Sequence, residues 1–154
     1  MASEAGVPVI ELRKVSMAFP KPSGEPLTVL AMVVSKPAPD RVVLDCGSKT
    51  LSTDPPRGFW HPGTTPLERP SGYGAVFADL DLTAVADDLL IERLSEEHAV
   101  VTAASGSTPP EPGDLVRVLP NHVCVVSNLV DCVRLVEGRE VLDTLPVAAR
   151  GKIA

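Results

Sequence analysis

Leu27-Thr-Val-Leu-Ala-Met-Val-Val-Ser35, then Pro37-Ala-Pro-Asp40, then Arg41-Val-Val-Leu-Asp45, is the stretch whose reading decides the fold. The first run is apolar on both faces and rich in β-branched valine, which packs well on a pleated surface and loses side-chain freedom in a helix. It reads as a central strand. The proline-rich turn cannot continue it, and the second run reads as a partner strand ending at Cys46-Gly47.

Working outward, Val9 to Phe19 alternates imperfectly and reads as a strand, broken by Pro20-Lys-Pro-Ser-Gly-Glu-Pro26. Gly74 to Ala78, Leu89 to Leu94, Val100 to Ala103 and Asp114 to Leu119 read as further short strands. Cys132 to Val136 and Glu140 to Asp143, around Gly138, read as a hairpin. Only Asn121 to Asp131 suits a helix, with Asn121 as its cap and Val123, Val126 and Val130 on one face. The expectation is a mainly β fold: a compact barrel-like or sandwich domain of short antiparallel strands, with one short helix after Pro120. Residues 1–154 are read as a single domain, with a flexible tail at 1–7 and long loops at 52–72 and 104–112. Between Leu51 and Gly74 there are five prolines and four glycines, with Trp60-His61 near the middle. Loops of that length are uncommon unless they serve a function or dock elsewhere.

Composition narrows the function. The chain of 154 residues is 44% apolar and 3% aromatic, so valine and leucine must supply most of the core. Its 16 Pro and 11 Gly stay below the roughly 25–30% of low-complexity chains. A net charge of −6 without a basic cluster offers nothing to a phosphate backbone or an anionic lipid surface, so nucleic acid and membrane are excluded as expected partners. The longest apolar run, Leu27 to Val34, falls well short of the roughly 20 residues of a membrane span. Met1 to Gly6 lacks the features of a secretory signal, and the expected location is the cytoplasm. Three cysteines, Cys46, Cys124 and Cys132, are an odd set and read as free thiols.

Three segments could carry chemistry. In Pro120-Asn-His-Val-Cys124 an imidazole and a thiol stand two residues apart, and both are ligand types suited to zinc. Two ligands alone do not close a structural site, and a buried Cys beside a backbone-bonded His is the plainer reading of the same residues. In Ser95-Glu-Glu-His98 a carboxylate could orient the imidazole, or the acids could simply be solvated. Leu44 to Asp54 places Gly47-Ser48-Lys49 ahead of a polar run, without the glycine spacing of a phosphate-binding loop. No nucleophile elbow, zincin motif or Cys-x-x-Cys pair is present.

Taken together and in order, Leu27 to Asp54, Ser95-Glu-Glu-His98, Pro112-Gly-Asp-Leu-Val-Arg-Val-Leu-Pro-Asn-His-Val-Cys124 and Val147-Ala-Ala-Arg-Gly151 resemble the C-terminal domain of the D-serine dehydratase and D-threonine aldolase family. The likeness runs from about Val9 to Gly151, and Pro-Asn-His-x-Cys is its most specific part. The resemblance implies a β module attached to an alanine-racemase-like barrel that binds pyridoxal phosphate. It implies that His122 and Cys124 hold zinc or another divalent metal, that Lys49, Asp54, Glu97, His98 and Asn121 face the composite site, and that the complete enzyme acts on a D-hydroxy amino acid. The family's barrel, with its pyridoxal-binding lysine, cannot be fitted into 154 residues. A chain of this kind is therefore expected to hold metal without catalysing alone. The alternative is a non-catalytic subunit, or a metal-binding or small-molecule-binding protein, that docks on a separate barrel protein or forms a homodimer.

Overall fold

A computed structural model describes residues 9–13, 27–54, 72–77, 79–81, 84–137 and 139–152. The expected tail at 1–7, the continuation of the first strand to Phe19, and Trp60-His61 lie outside the described residues. The elements are β1 (Val9–Arg13), β2 (Leu27–Ala38), β3 (Arg41–Leu44), β4 (Ala75–Phe77), β5 (Leu89–Leu94), β6 (Ala99–Ala103), β7 (Leu115–Leu119), α1 (Val123–Asn128), β8 (Cys132–Glu137) and β9 (Glu140–Pro146). The sheet curls into a half-barrel carrying one short helix.

β2 is the hub. Its first half, Leu27 to Met32, pairs antiparallel with β1 and β7, and its second half, Val33 to Ala38, pairs antiparallel with β3. The transfer falls at Met32-Val33. There the Asp45 carboxylate accepts the Met32 N–H at 2.7 Å, and Met32 C=O accepts the Asp45 N–H at 3.1 Å. Val33 turns the other way, exchanging hydrogen bonds with Asp114 C=O and Gly113 N–H. Every main-chain group at the handover is thereby paired, as a strand leaving one partner for another requires. β3 then pairs with β6 and β6 with β5, while β4 joins β7 and β8 pairs with β9.

Two details depart from the sequence reading. β2 is twelve residues long, passing through Pro37, and β1 lies parallel to β8 within an otherwise antiparallel arrangement. A parallel neighbour needs a long crossover, and in an antiparallel-looking sequence no local signal announces one. The hairpins β2–β3 and β8–β9 follow the turns read from sequence, and β5–β6 forms a further hairpin across Ser95 to His98.

The core is valine-rich, as composition implied. Val29 and Val33 of β2, Val42 and Leu44 of β3, Ile91 of β5, Val101 of β6 and Val118 of β7 are essentially inaccessible. Cys46, Leu51 and Val126 join them from outside the strands. Each fully buried valine or leucine contributes roughly 1.5–3 kcal/mol by removal from water.

The segment that follows β3 is fastened to the turn between β5 and β6. Ser48 N–H donates to Ser95 C=O at 2.8 Å and Lys49 N–H to Glu96 C=O at 3.0 Å. Gly47 permits this approach, since a Cβ there would lie 2.4 Å from both the Ser95 and Glu96 carbonyl oxygens. Gly47→Ala is therefore expected to destabilise the fold by about 1–3 kcal/mol, read from the urea midpoint, and an unchanged midpoint would refute the close approach.

All three cysteines are free thiols, as expected: Cys46 buried, Cys124 exposed, Cys132 between. Burial, with the Asp45 charge beside it, pushes the Cys46 thiol up from about 9 to about 12. The unfolded chain thus releases a proton near pH 9 that the folded chain keeps until about 12, so this group's contribution to stability falls as pH rises between those values. The expected slope is about 1.4 kcal/mol per pH unit. Denaturant midpoints between pH 9 and 11 should fall less steeply in Cys46→Ala, and equal slopes would remove Cys46 as the cause.

Candidate functional site

The site grows from two places that the sequence keeps far apart. The first is the run that leaves β3. Thr50 and Leu51 N–H close a turn on Gly47 C=O, Leu51 is buried in the core, and Ser52 Oγ accepts the Asp54 N–H at 3.0 Å. The second is the exit from β7, where Pro120 ends the strand and α1 begins. α1 spans six residues, too few to persist alone, and it is anchored by Val126, its one buried side chain.

At the junction, His122 Nδ1 lies 2.5 Å from Asp54 Oδ2. Both side chains remain about a third exposed. The Asn121 side-chain amide donates to Asp54 C=O at 3.0 Å and to Gly72 C=O at 2.8 Å. Asp54, Asn121 and His122 are thus brought into one group. Cys124 follows in the first turn of α1, exposed, on an open groove of about 580 Å³ lined also by Leu129, Val147 and Lys152.

The helix differs from the reading of its sequence. His122, not Asn121, stands at the N-cap, with extended backbone and no side-chain cap. The reason is that both polar side chains are engaged across the fold, Asn121 with two carbonyls and His122 with Asp54. Val123 is 42% exposed rather than packed, because a helix of under two turns turns only one valine inward.

The other site residues read from sequence form a separate group. Lys49 Nζ lies 2.6 Å from Glu97 Oε1 and 3.0 Å from Glu96 Oε2. These bonds, Glu97 first, raise the Lys49 pKa and keep it cationic. The carboxylate that could have oriented His98 is therefore directed to Lys49. His98 is exposed, and its main chain closes the turn with Ser95. Lys49 and Glu97 act here as a surface clasp over the Gly47 contact, worth little by themselves because they are exposed.

Among the described residues, no three His, Cys, Asp or Glu side chains converge as a complete metal site. What is present is the His122 imidazole with a carboxylate at its Nδ1, and an exposed Cys124 thiol two residues further along the chain. That chemistry fits one side of a zinc or other divalent site whose remaining positions are open. Sequence reading placed Asp54 near the site but missed its bond to His122 and the role of Gly72. Only proximity in space joins residues 54, 72 and 122, and no spacing rule could have found it.

Comparison with known proteins places the chain in a family. The family model described as "Putative serine dehydratase domain" matches residues 26–136. An uncharacterized protein of Mycobacterium tuberculosis is 38% identical over 135 residues, covering 85% of this chain and 88% of its own length. A D-threonine aldolase of an Arthrobacter species is 36% identical over 127 residues, and there this chain spans only 27% of the relative. The crystal structure of D-threonine aldolase from Filomicrobium marinum superposes with a TM-score of 0.61 at 27% identity, over 86% of this chain and 30% of the aldolase. No helix among the described residues is long and apolar enough to cross a membrane. With most of the chain matched, including β2 through β8 and the Pro120 to Cys124 motif, the protein belongs to the D-serine dehydratase-like domain family.

Proposed function

We propose that this chain is a cytoplasmic, single-domain metal-holding module in which His122 and Cys124 take up zinc or another divalent ion and present it to a pyridoxal phosphate site on a barrel domain or subunit. The observation that carries the reading is the Asp54–His122 bond. An ionised carboxylate can only accept, so Nδ1 is the donor, and in the neutral ring this tautomer leaves the lone pair on Nε2. An outer carboxylate that fixes tautomer and ring orientation is the usual companion of a metal-binding histidine. Cys124, exposed two residues further on, supplies a thiol that can ionise on binding a metal.

When bound, the ion supplies a Lewis acid for a substrate hydroxyl and pyridoxal phosphate an electron sink at the α-carbon, suiting elimination of water from, or aldol cleavage of, a D-hydroxy amino acid. Asp54 orients His122, and Asn121 holds the Asp54 main chain. The 36% identity to a D-threonine aldolase supports the substrate class, and the span of 27% of that enzyme supports a partner that carries the rest. Glu97, His98 and Lys49 are assigned to the margin of the same composite site, on the resemblance alone.

A second reading, an interaction subunit that docks on a separate barrel protein or pairs with itself, is favoured by a different observation. Every residue of β9 is exposed, including Val141, Leu142 and Leu145, and α1 with its C-cap exposes Val123, Val125 and Leu129. Apolar surface of this kind marks contact sites when it is contiguous.

Titration calorimetry with Zn²⁺ should show one ion bound per wild-type chain and none in His122→Ala or Cys124→Ala. Asp54→Asn should bind about 10–100-fold more weakly, since outer-shell partners contribute on that scale. Equal uptake by wild type and His122→Ala would end the reading. Light scattering on the purified chain should give a dimer mass if it pairs with itself, and a monomer at all concentrations would exclude self-pairing.

A further inference from the structure

The amide of Asn121 can be read as part of the metal-facing surface, but its bonds point inward. Its nitrogen has two N–H groups, and both find acceptors: Asp54 C=O at 3.0 Å and Gly72 C=O at 2.8 Å. Two carbonyl partners also settle which end of the amide is which, since the oxygen could bond to neither. Asp54 and Gly72 stand 18 positions apart in the chain. One side chain therefore ties both to the exit of β7.

Asp54 is held twice by consecutive residues. Asn121 takes its main-chain carbonyl, and His122 meets its carboxylate at 2.5 Å. The orientation of the imidazole thus depends on where the Asp54 backbone lies, to which Asn121 and the turn at Ser52 both contribute. We infer that Asn121 is a positioning residue, a clamp that joins Asp54 to Gly72 and thereby sets the Asp54–His122 bond. The clamp stands on geometry alone. Its consequence for metal affinity rests on the function proposed above.

The test uses the full chain without metal, reading the His122 ring by ¹⁵N NMR, which distinguishes Nδ1–H from Nε2–H. The His122 signals are assigned by their loss in His122→Ala. Asn121→Ala should move the ring spectrum of wild type towards that of Asp54→Asn, and Asn121→Ser, which keeps one donor, should fall between. Zn²⁺ affinity should drop about tenfold in Asn121→Ala. In the double variant Asn121→Ala/Asp54→Asn, affinity should equal that of Asp54→Asn alone, because the two changes act through one bond. A ring spectrum unchanged in Asn121→Ala would overturn the clamp, as would losses in the double variant that simply multiply. Should Asn121→Ala fail to fold, Asn121→Ser carries the same comparison, and a wild-type spectrum there would overturn the clamp equally. If wild type takes up no Zn²⁺ while the ring shift occurs, the metal reading fails and the clamp holds.

Discussion

The handover of β2 at Met32-Val33 is the constraint on which the rest of the structure depends. A strand that serves β1 and β7 with one half and β3 with the other must change partners without stranding a main-chain group. Asp45 accomplishes this by accepting the Met32 N–H with its side chain and donating its own N–H to Met32 C=O. The turn at Gly113-Asp114 does the same for Val33 on the opposite side. The half-barrel curls about this point, and its valine core fills the concavity.

The same residue sets the direction of the chain towards the site. Beyond Asp45, Cys46 and Leu51 are driven into the core, while Gly47 lets the intervening loop lie against the Ser95 to His98 turn at backbone distance. Apolar burial and backbone hydrogen bonds thus carry the loop to Asp54, and the exposed Lys49 pairs add little. From the other side, Val126 fixes α1 and Asn121 fastens its approach. The Asp54–His122 bond is consequently held between two rigid supports. A side chain on such a frame loses little freedom on binding, which is what the metal site proposed above, with few protein donors, would require.

The β9 end of the sheet, among the described residues, shows a different physical compromise. β9 ends the sheet with all its side chains exposed, yet Asp143 Oδ1 accepts the Thr144 N–H and Pro146 has no N–H to offer. Both features blunt an edge against unwanted strand pairing. Contact through β9 would therefore rely on the side chains of Val141, Leu142 and Leu145 more than on added ladder hydrogen bonds.

Much of this was legible in the residues. The double-faced apolar run at Leu27, the proline turn at 37–40, the Gly138 hairpin and the scarcity of helix all follow from local sterics and periodicity, and His122 and Cys124 were conspicuous as a motif. Other features were not. The parallel β1–β8 pair, the partner exchange at Asp45 and the bond between Asp54 and His122 join residues distant in the chain, and propensity has no information about distance in space. Asn121 illustrates the boundary. By itself the sequence determined that an Asn stands before a short helix, where local rules make it a cap. Tertiary structure decided that its amide would instead hold two carbonyls across the fold, because part-buried carbonyls at Asp54 and Gly72 need donors more than a solvent-exposed helix end does.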